Sequence, residues 1–222
     1  MTTVTTGRRK PYILADGTIV PGVTTILGRF KDAGPLMYWA WSQGKAGNDF
    51  RKERDTAAAA GTLAHSLVFA HLHGQGLDEL LLGVQQDIRD GAVKGFHNWL
   101  KWKQQTRLEI RSWEKPLICE HHRYGGTPDA LATLDGLVTL ADWKTSSGGA
   151  AYVEHLCQLA AYSHLFKDAG MTLGPGFHLC TFNRDTADFT HRYFDDLNDA
   201  WLMFLELREA YDLDRLLAKR VK

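Results

Sequence analysis

The feature that most constrains the fold is an Asp-Gly dipeptide, Asp135-Gly136, set between two apolar segments. Asp-Gly in this position is the strongest short-range signal for a β-hairpin with a two-residue type I′ turn, because both turn residues must adopt positive φ. With these residues at the turn, Leu134 pairs with Leu137, and every earlier residue of the first strand has a fixed partner in the second. The sequence therefore predicts both a hairpin and its register.

This register brings two acidic side chains together. Asp129 falls directly opposite Asp142, and cross-strand partners have Cβ atoms only ~4.5 to 5.5 Å apart, so both carboxylates project from one face of the sheet. Lys144 lies two residues further along and shares that face. Two carboxylates at this distance repel each other unless a proton or a cation lies between them. Hard cations such as Mg²⁺ or Mn²⁺ are commonly held by one or two carboxylates together with a substrate phosphate.

An ordinary Asp–Lys pair on an exposed hairpin face is the alternative interpretation, and for an isolated DxK triplet it is the better one. Two observations oppose it here. Asp142 lies between Leu140 and Trp143 in an apolar strand, where a charge has little reason to lie without a function. Its predicted cross-strand partner is also an aspartate.

The rest of the chain predicts helices and strands around this hairpin. Helices are predicted from Gly34-Pro35 onward and over residues 56–73, 84–108, 150–168 and 195–217. Strands are predicted over residues 23–27, 114–122, 125–134, 136–145, 176–182 and 187–194. This order predicts an α/β (α+β) fold with a mixed central β-sheet flanked by helices.

Length and composition favour one domain, because 222 residues with 44% hydrophobic content fit one core. Residues 1–108 form its mainly helical part, and residues 109–222 form the sheet core and C-terminal helix. No apolar run reaches the ~18 residues of a membrane span, and the N-terminus lacks a secretory signal, which predicts a soluble cytoplasmic protein without membrane contact. The three cysteines are far apart and indicate neither a disulfide framework nor an iron–sulfur cluster.

Four short motifs occur in the order found in a known group of nucleases. Gly126-Thr-Pro-Asp129 and Asp142-Trp-Lys144 resemble motifs II and III of the PD-(D/E)xK nuclease superfamily. Gly61-Thr-Leu-Ala-His65 resembles the helical GxxxH motif of its RecB-like exonuclease branch, and Gln158-Leu-Ala-Ala-Tyr162 resembles the QxxxY motif of that branch. The missing fourth cysteine points to members without an iron–sulfur cluster, of the phage or mitochondrial genome maintenance exonuclease type.

The resemblance implies a restriction-endonuclease-like αβββαβ core with an N-terminal helical extension. It implies a metal site in which His65, Asp129, Asp142 and the backbone carbonyl of Trp143 bind Mg²⁺ or Mn²⁺. His65 lies on the apolar face of its helix, and without the motif a core histidine bonded to backbone is the better interpretation. Lys144 then orients or deprotonates the attacking water, or neutralises charge that builds on the phosphate.

Two further polar residues lie one helical turn apart on a largely apolar stripe. Gln158 and Tyr162 need hydrogen-bond partners there. In the functional interpretation these partners are Lys144, the metal shell or a DNA phosphate. In the alternative interpretation they are backbone groups of the core. Glu120 is either an additional metal ligand or a plain glutamate at a strand edge.

Substrate binding has to be local, because 26 Lys and Arg residues balance 26 Asp and Glu residues. The candidate DNA-binding cations lie close together in the sequence: Lys45, Arg51, Lys52 and Arg54. Aromatic residues at 38, 39 and 41 precede them and could stack on bases, although core packing is the favoured role for Trp39 and Trp41.

The sequence thus predicts a metal-dependent DNA nuclease. The resemblance favours an exonuclease that acts on DNA with a free end in replication, recombination or repair, encoded by a phage and active in a bacterial or phage-infected cell. Protein partners are not predicted. Three alternatives stay open: an endonuclease on the same core, a catalytically inactive DNA-binding or assembly module, and an enzyme acting on another phosphate ester or nucleotide.

Overall fold

The computed structural model describes residues 10–134, 136–146 and 149–221. The helices are α1 Val23–Arg29, α2 Gly34–Lys45, α3 Phe50–Leu72, α4 Asp78–Leu81, α5 Gln86–Thr106, α6 Val153–Asp168 and α7 Asn198–Arg220. The strands are β1 Tyr12–Ile13, β2 Ile19–Val20, β3 Glu109–Trp113, β4 Leu117–Cys119, β5 Tyr124–Gly126, β6 Ala130–Leu134, β7 Leu137–Ser146, β8 Phe177–Asn183 and β9 Phe189–Phe194. Among the described helices, none combines the length and apolar character that a bilayer span requires.

The main sheet has five strands in the order β3-β6-β7-β8-β9. The β7–β8 pair is parallel and the other three pairs are antiparallel, so the sheet is mixed. Parallel neighbours need a crossover connection, and α6 supplies it between β7 and β8. The prediction of an α/β fold with a mixed sheet flanked by helices is confirmed. Two small sheets, β1-β2 and β4-β5, lie beside the main one.

Hydrophobic side chains pack on both faces of the main sheet. On one face, Leu131 and Leu140 pack in a core with α1, α6 and α7. On the other face, Ala141 and Trp143 pack in a core with α3 and α5. Successive residues of a strand point to opposite faces, so Asp142 projects from the same face as Leu140, towards α6.

Close packing of α3 against α5 depends on glycine. A Cβ at Gly91 would lie 3.3 Å from that of Ala60, and one at Gly95 would lie 3.3 Å from the Cγ2 of Thr145 and 3.5 Å from the Cβ of Ala64. The two glycines lower the helix propensity of α5 but let it approach both α3 and β7. Packing therefore outweighs propensity in this helix.

Residues 23–27 form part of a helix, so the prediction of a strand there was wrong. The β-branched run Val-Thr-Thr-Ile favours a strand locally. However, Val23, Ile26 and Leu27 have helical spacing and are all buried in the core beside α6 and α7. Burial of this one face outweighs the local preference.

The predicted strand at 114–122 was also partly wrong. Only Leu117–Cys119 is extended, and it pairs with β5 in a small sheet. The outer strand of the main sheet is instead β3, which ends at Trp113 and pairs with β6 across a bulge between Ile110 and Ser112. The alternation in Glu109–Trp113 is weak because β3 is an edge strand with no buried residue.

Candidate active site

The predicted hairpin register is confirmed. β6 and β7 pair from Leu134 with Leu137 through to Ala130 with Ala141. Gly136 has φ of +83°, as a type I′ turn requires, whereas its predicted turn partner Asp135 lies outside the described residues. Asp129 directly precedes β6, so it is the next residue in line with Asp142.

Asp129 is held by hydrogen bonds at both its side chain and its backbone. The Trp143 N–H donates to its Oδ2 at 3.0 Å, and its carbonyl accepts from the Glu114 N–H at 3.1 Å. The side chain thus spans the space beyond the first residue of β6 and reaches β7. Burial raises the pKa of Asp129, and the charge of Lys144 and the Trp143 hydrogen bond partly offset that increase.

Asp142 is the most deeply buried charged group of the site. Its side chain is 1% exposed, and its Oδ2 lies 2.6 Å from the Nζ of Lys144. Burial raises the pKa of Asp142 to about 6, against the lowering effect of Lys144, and the negative charge of Asp129 adds to the increase. Within the described residues, Oδ1 of Asp142 has no hydrogen-bond partner. The carboxylate pair therefore carries more negative charge than its protein surroundings compensate.

The backbone carbonyl of Trp143 points towards this pair. In a strand, the N–H and C=O of one residue face the same neighbouring strand. The Trp143 N–H faces Asp129, so its carbonyl also faces that side, beyond the start of β6. The indole ring lies on the opposite sheet face and packs edge-on against Trp99.

His65 reaches the site from α3. Its Nδ1 lies 3.7 Å from Oδ1 of Asp129, and its ring lies 6.2 Å from that of Trp143. The structure thus brings His65 to the carboxylates, although α3 packs on the face of β7 opposite to theirs. His65 therefore reaches Asp129 past the N-terminal end of β6.

Gln158 and Tyr162 form the wall of the site on α6. The Nε2 of Gln158 donates to the Tyr162 hydroxyl at 3.0 Å, and both side chains are buried. Burial raises the pKa of Tyr162 above its usual range, and the charges of Asp142 and Asp129 raise it further. Tyr162 therefore remains protonated beside the carboxylate pair.

Two adjacent glycines allow aromatic rings to pack on both sides of β5. A Cβ at Gly126 would lie 2.7 Å from the ring of Tyr162, and one at Gly125 would lie 2.2 Å from the ring of Tyr12. The Tyr12 hydroxyl also bonds the Thr127 hydroxyl at 2.8 Å. The segment leading to Asp129 is thus fixed between two tyrosines, of which Tyr12 was not predicted from the sequence.

Two other neighbours of the site were not predicted. His155 lies one helical turn before Gln158, and its Nδ1 accepts from the Tyr152 N–H at 3.3 Å. Burial lowers the pKa of His155, the charge of Lys144 lowers it further and that of Asp142 raises it. Glu114 follows β3 with φ of +42°, and its negative charge raises the pKa of Asp129. Neither residue stands in a recognisable motif.

Glu120 has a structural partner outside the carboxylate pair. It follows β4, and its Oε1 accepts from the Ala15 N–H at 2.8 Å, which ties the loop between β1 and β2 to the small β4-β5 sheet. Among the described residues, the hydrogen bond of Glu120 thus goes to Ala15, whereas the ion pair of the site joins Asp142 and Lys144.

The candidate DNA-binding cations lie along α2 and α3. Lys45 lies over the ring of Trp41 and Arg51 over that of Phe50, at 5.2 and 5.6 Å from the ring centres. Arg54 pairs with Asp55 at 2.7 Å, and Lys52 lines a cleft between α2, α3 and α5. Core packing of Trp41 was a wrong prediction, because its side chain is 59% exposed.

The donor set fits a hard cation better than a zinc-type centre. The described residues contain no cluster of three or more His, Cys, Asp or Glu side chains arranged to hold a metal ion. They do provide two carboxylates, a backbone carbonyl and a buried, unpartnered oxygen on Asp142. Mg²⁺ usually binds one or two carboxylates and completes its shell with water and substrate oxygens.

Comparison with known proteins adds no functional information. No protein-family model matches the chain, and no curated protein matches it. A solved structure described as "Crystal structure of SSO0001" is 13% identical, with a TM-score of 0.38 over 69% of this chain and 72% of that chain. Likeness at this level supports no inference about activity.

Proposed function

We propose that this protein is a Mg²⁺- or Mn²⁺-dependent deoxyribonuclease that hydrolyses phosphodiester bonds from a DNA end. One observation carries the proposal: Asp129, directly before β6, accepts a hydrogen bond from the Trp143 N–H next to Asp142 on β7, and Lys144 lies 2.6 Å from Asp142. A surface ion pair has no need of a second, buried carboxylate. The same residues match the nuclease motifs of the sequence.

Asp129, Asp142 and the Trp143 carbonyl would hold the ion, with His65 next to Asp129. When bound, the ion supplies a positive charge that polarises the scissile phosphate and lowers the pKa of bound water. The protein contributes a carboxylate pair whose own charge is poorly compensated, and so favours a cation over an empty site.

Lys144 provides a positive charge next to Asp142 that belongs to the protein and not to the metal ion. Its side chain is 25% exposed whereas that of Asp142 is 1% exposed, so the ammonium group lies between the buried carboxylate and solvent. A phosphate that approaches Asp142 from solvent therefore comes close to this group. A fixed cation at this point stabilises the negative charge that builds on the phosphate during hydrolysis.

Gln158 and Tyr162 line the α6 side of the site, where Tyr162 lies within the electrostatic influence of both carboxylates. The Gln158 amide donates to the Tyr162 oxygen, which leaves the Tyr162 O–H free to donate towards an acceptor. Because Tyr162 stays protonated next to two carboxylates, it serves as a donor and not as a base. The pair also excludes water from the α6 side of the site.

The depth of the site supports cleavage from an end. Asp142 is 1% exposed and projects from the α6 face of the sheet. A phosphodiester in the middle of a rigid duplex would have to bring both strands up to this recessed group. A single strand at a terminus can enter alone.

The test is degradation of end-labelled linear DNA and of circular DNA with Mg²⁺, Mn²⁺ or EDTA. Wild type is compared with Asp142→Asn and Lys144→Ala, and with Glu209→Gln and Lys219→Ala as controls for charge loss on exposed parts of α7. We expect wild type to degrade linear DNA and to leave circular DNA intact. EDTA and either site substitution should abolish the degradation, and both control variants should retain it.

Each other outcome would assign a different function to the protein. Cutting of circles by wild type but not by Asp142→Asn would assign an endonuclease to the same site. Intact DNA under every metal, with DNA still bound, would replace the proposal by a DNA-binding module without catalysis. Activity that survives Asp142→Asn would refute the assignment of the site.

A further inference from the structure

Helix α2 exposes its apolar and aromatic side chains. It spans Gly34–Lys45 and contains no buried residue. Tyr38 is 70% exposed and Trp41 is 59% exposed, and Leu36 and Met37 are exposed beside them. A twelve-residue helix gains most of its stability by burying one face, and exposed apolar patches of this kind mark interaction sites.

The chemistry of this surface suits bases and phosphates together. The rings of Tyr38 and Trp41 lie 5.7 Å apart, and the ammonium group of Lys45 lies 5.2 Å from the centre of the Trp41 indole. From residue 33 to residue 48 there is no acidic side chain, in a chain whose total charge is balanced. Base–aromatic stacking next to cations is the usual basis of single-strand binding.

Two clefts meet at α2, and Trp39 lines both. The first has a volume of about 610 Å³ and is mainly apolar, and Tyr152 on its wall lies 5.9 Å below the ammonium group of Lys31. The second has a volume of about 470 Å³, and charges of both signs line it: the cations Lys52, Lys94 and Arg184 and the carboxylates of Glu53, Asp87, Asp90 and Asp185. The apolar cleft can therefore take an unpaired base, whereas the second cleft does not select a phosphate backbone.

Tyr152, on the wall of the apolar cleft, is the N-cap of α6, the helix that carries Gln158 and Tyr162. The apolar cleft and the candidate active site thus share one helix.

We propose that α2 and the apolar cleft beside it bind single-stranded DNA, with unpaired bases stacked on Tyr38 and Trp41. The proposal rests on the proposed function for its choice of nucleic acid. Unpaired bases offer free ring faces, whereas the bases of a duplex already stack on each other. Lys45, which lies over the Trp41 ring on a helix without acidic side chains, favours a polyanion over an apolar protein surface.

The test measures binding without catalysis. Fluorescence anisotropy of labelled oligothymidylate and of a labelled hairpin duplex is recorded in EDTA, with full-length protein carrying Asp142→Asn. We expect tighter binding of the single strand. Tyr38→Ala and Trp41→Ala should each weaken its binding about 5- to 100-fold, whereas Trp41→Phe should retain most of the affinity. Leu213→Ala removes an equally exposed apolar side chain on α7 and should change nothing.

The outcomes separate this inference from the nuclease proposal. Unchanged binding in both alanine variants, with unchanged melting temperatures, refutes single-strand binding at α2 even if wild type degrades DNA. Loss of binding in those variants supports single-strand binding at α2 even if wild type degrades nothing. A wild-type dimer in sedimentation that becomes monomeric with Trp41→Ala would assign the surface to a second copy of the chain and would also refute the inference.

Discussion

Replacing Asp142 by asparagine should make the protein more stable while it abolishes catalysis. Burial raises the pKa of Asp142 from its ordinary value of 3.8 to about 6. The folded state therefore binds the proton more tightly than the unfolded state does. The stability that this proton contributes is fully present below pH 4, where both states are protonated, and is lost as the pH rises from about 4 to about 6. Above about pH 6 the folded protein contains a charged, buried carboxylate, which destabilises it.

The size of the effect follows from that shift. One pKa unit corresponds to about 1.4 kcal/mol, so a shift of about two units amounts to about 3 kcal/mol. Asparagine has the same shape and does not ionise. Asp142→Asn should therefore stabilise the metal-free protein by about 3 kcal/mol more at pH 8 than at pH 4, which for a chain of this size moves the urea midpoint by about 1 M.

A bound cation should reduce the difference in stability between Asp142→Asn and wild type. Metal that binds only the folded state stabilises it by about 1.4 kcal/mol when its free concentration is about ten times Kd. Wild type should gain this stability from Mn²⁺ at pH 8, and Asp142→Asn should gain little or none. The comparison measures metal binding without any reference to DNA.

The assay is urea unfolding followed by fluorescence and circular dichroism at several pH values between 4 and 8, in EDTA and in Mn²⁺. Glu209→Gln, which neutralises an exposed carboxylate on α7, is the control and should show no such pH dependence. If the difference between Asp142→Asn and wild type were the same at pH 4 and pH 8, the buried charge would not be the destabilising element, and the argument for a cation site would fail.

Three other substitutions test the geometry of the site. Lys144→Ala should lower the rate of DNA cleavage about 10²- to 10³-fold in single-turnover kinetics, because it removes the cation next to the phosphate, and unaltered kinetics would exclude that role. His65→Ala should weaken the stabilisation by Mn²⁺, with a drop in metal affinity of about 10- to 100-fold in titrations, while His71→Ala on the same helix should not. Gly126→Ala should destabilise the fold by about 1 to 3 kcal/mol in urea unfolding, because the new Cβ would lie 2.7 Å from an aromatic ring, whereas Gly28→Ala meets nothing within 4 Å and should not destabilise it.

The carboxylate pair could be predicted from the sequence because its determinants are local. A two-residue turn fixes the register of a hairpin, so the positions of Asp129 and Asp142 relative to each other depend on only fourteen consecutive residues. The alternation of apolar residues in β7 also fixed the shared face of Asp142 and Lys144. Long, periodic helices such as α3, α6 and α7 were recognised for the same reason, although their ends differ by a few residues from the prediction.

Other parts of the site depend on contacts between distant segments. Tyr12 packs on Gly125 from more than a hundred residues away, and no pattern near either residue indicates the contact. His155 and Glu114 approach the aspartates only because α6 and β3 pack where they do. The path of His65 around the end of β6 likewise follows from the three-dimensional arrangement of α3.

The position of β7 has a consequence for how the protein opens. β7 is the middle strand of five, with helices on both faces, and it carries Asp142 and Lys144. Backbone amides in such a strand exchange their hydrogens with solvent only when the whole sheet separates, whereas edge strands and helix ends fluctuate far more often. We therefore expect Asp142 and Lys144 in the slowest-exchanging part of the chain, and α2, which buries no residue, in the fastest. A strand of nucleic acid would accordingly move over a mobile surface towards a rigid centre.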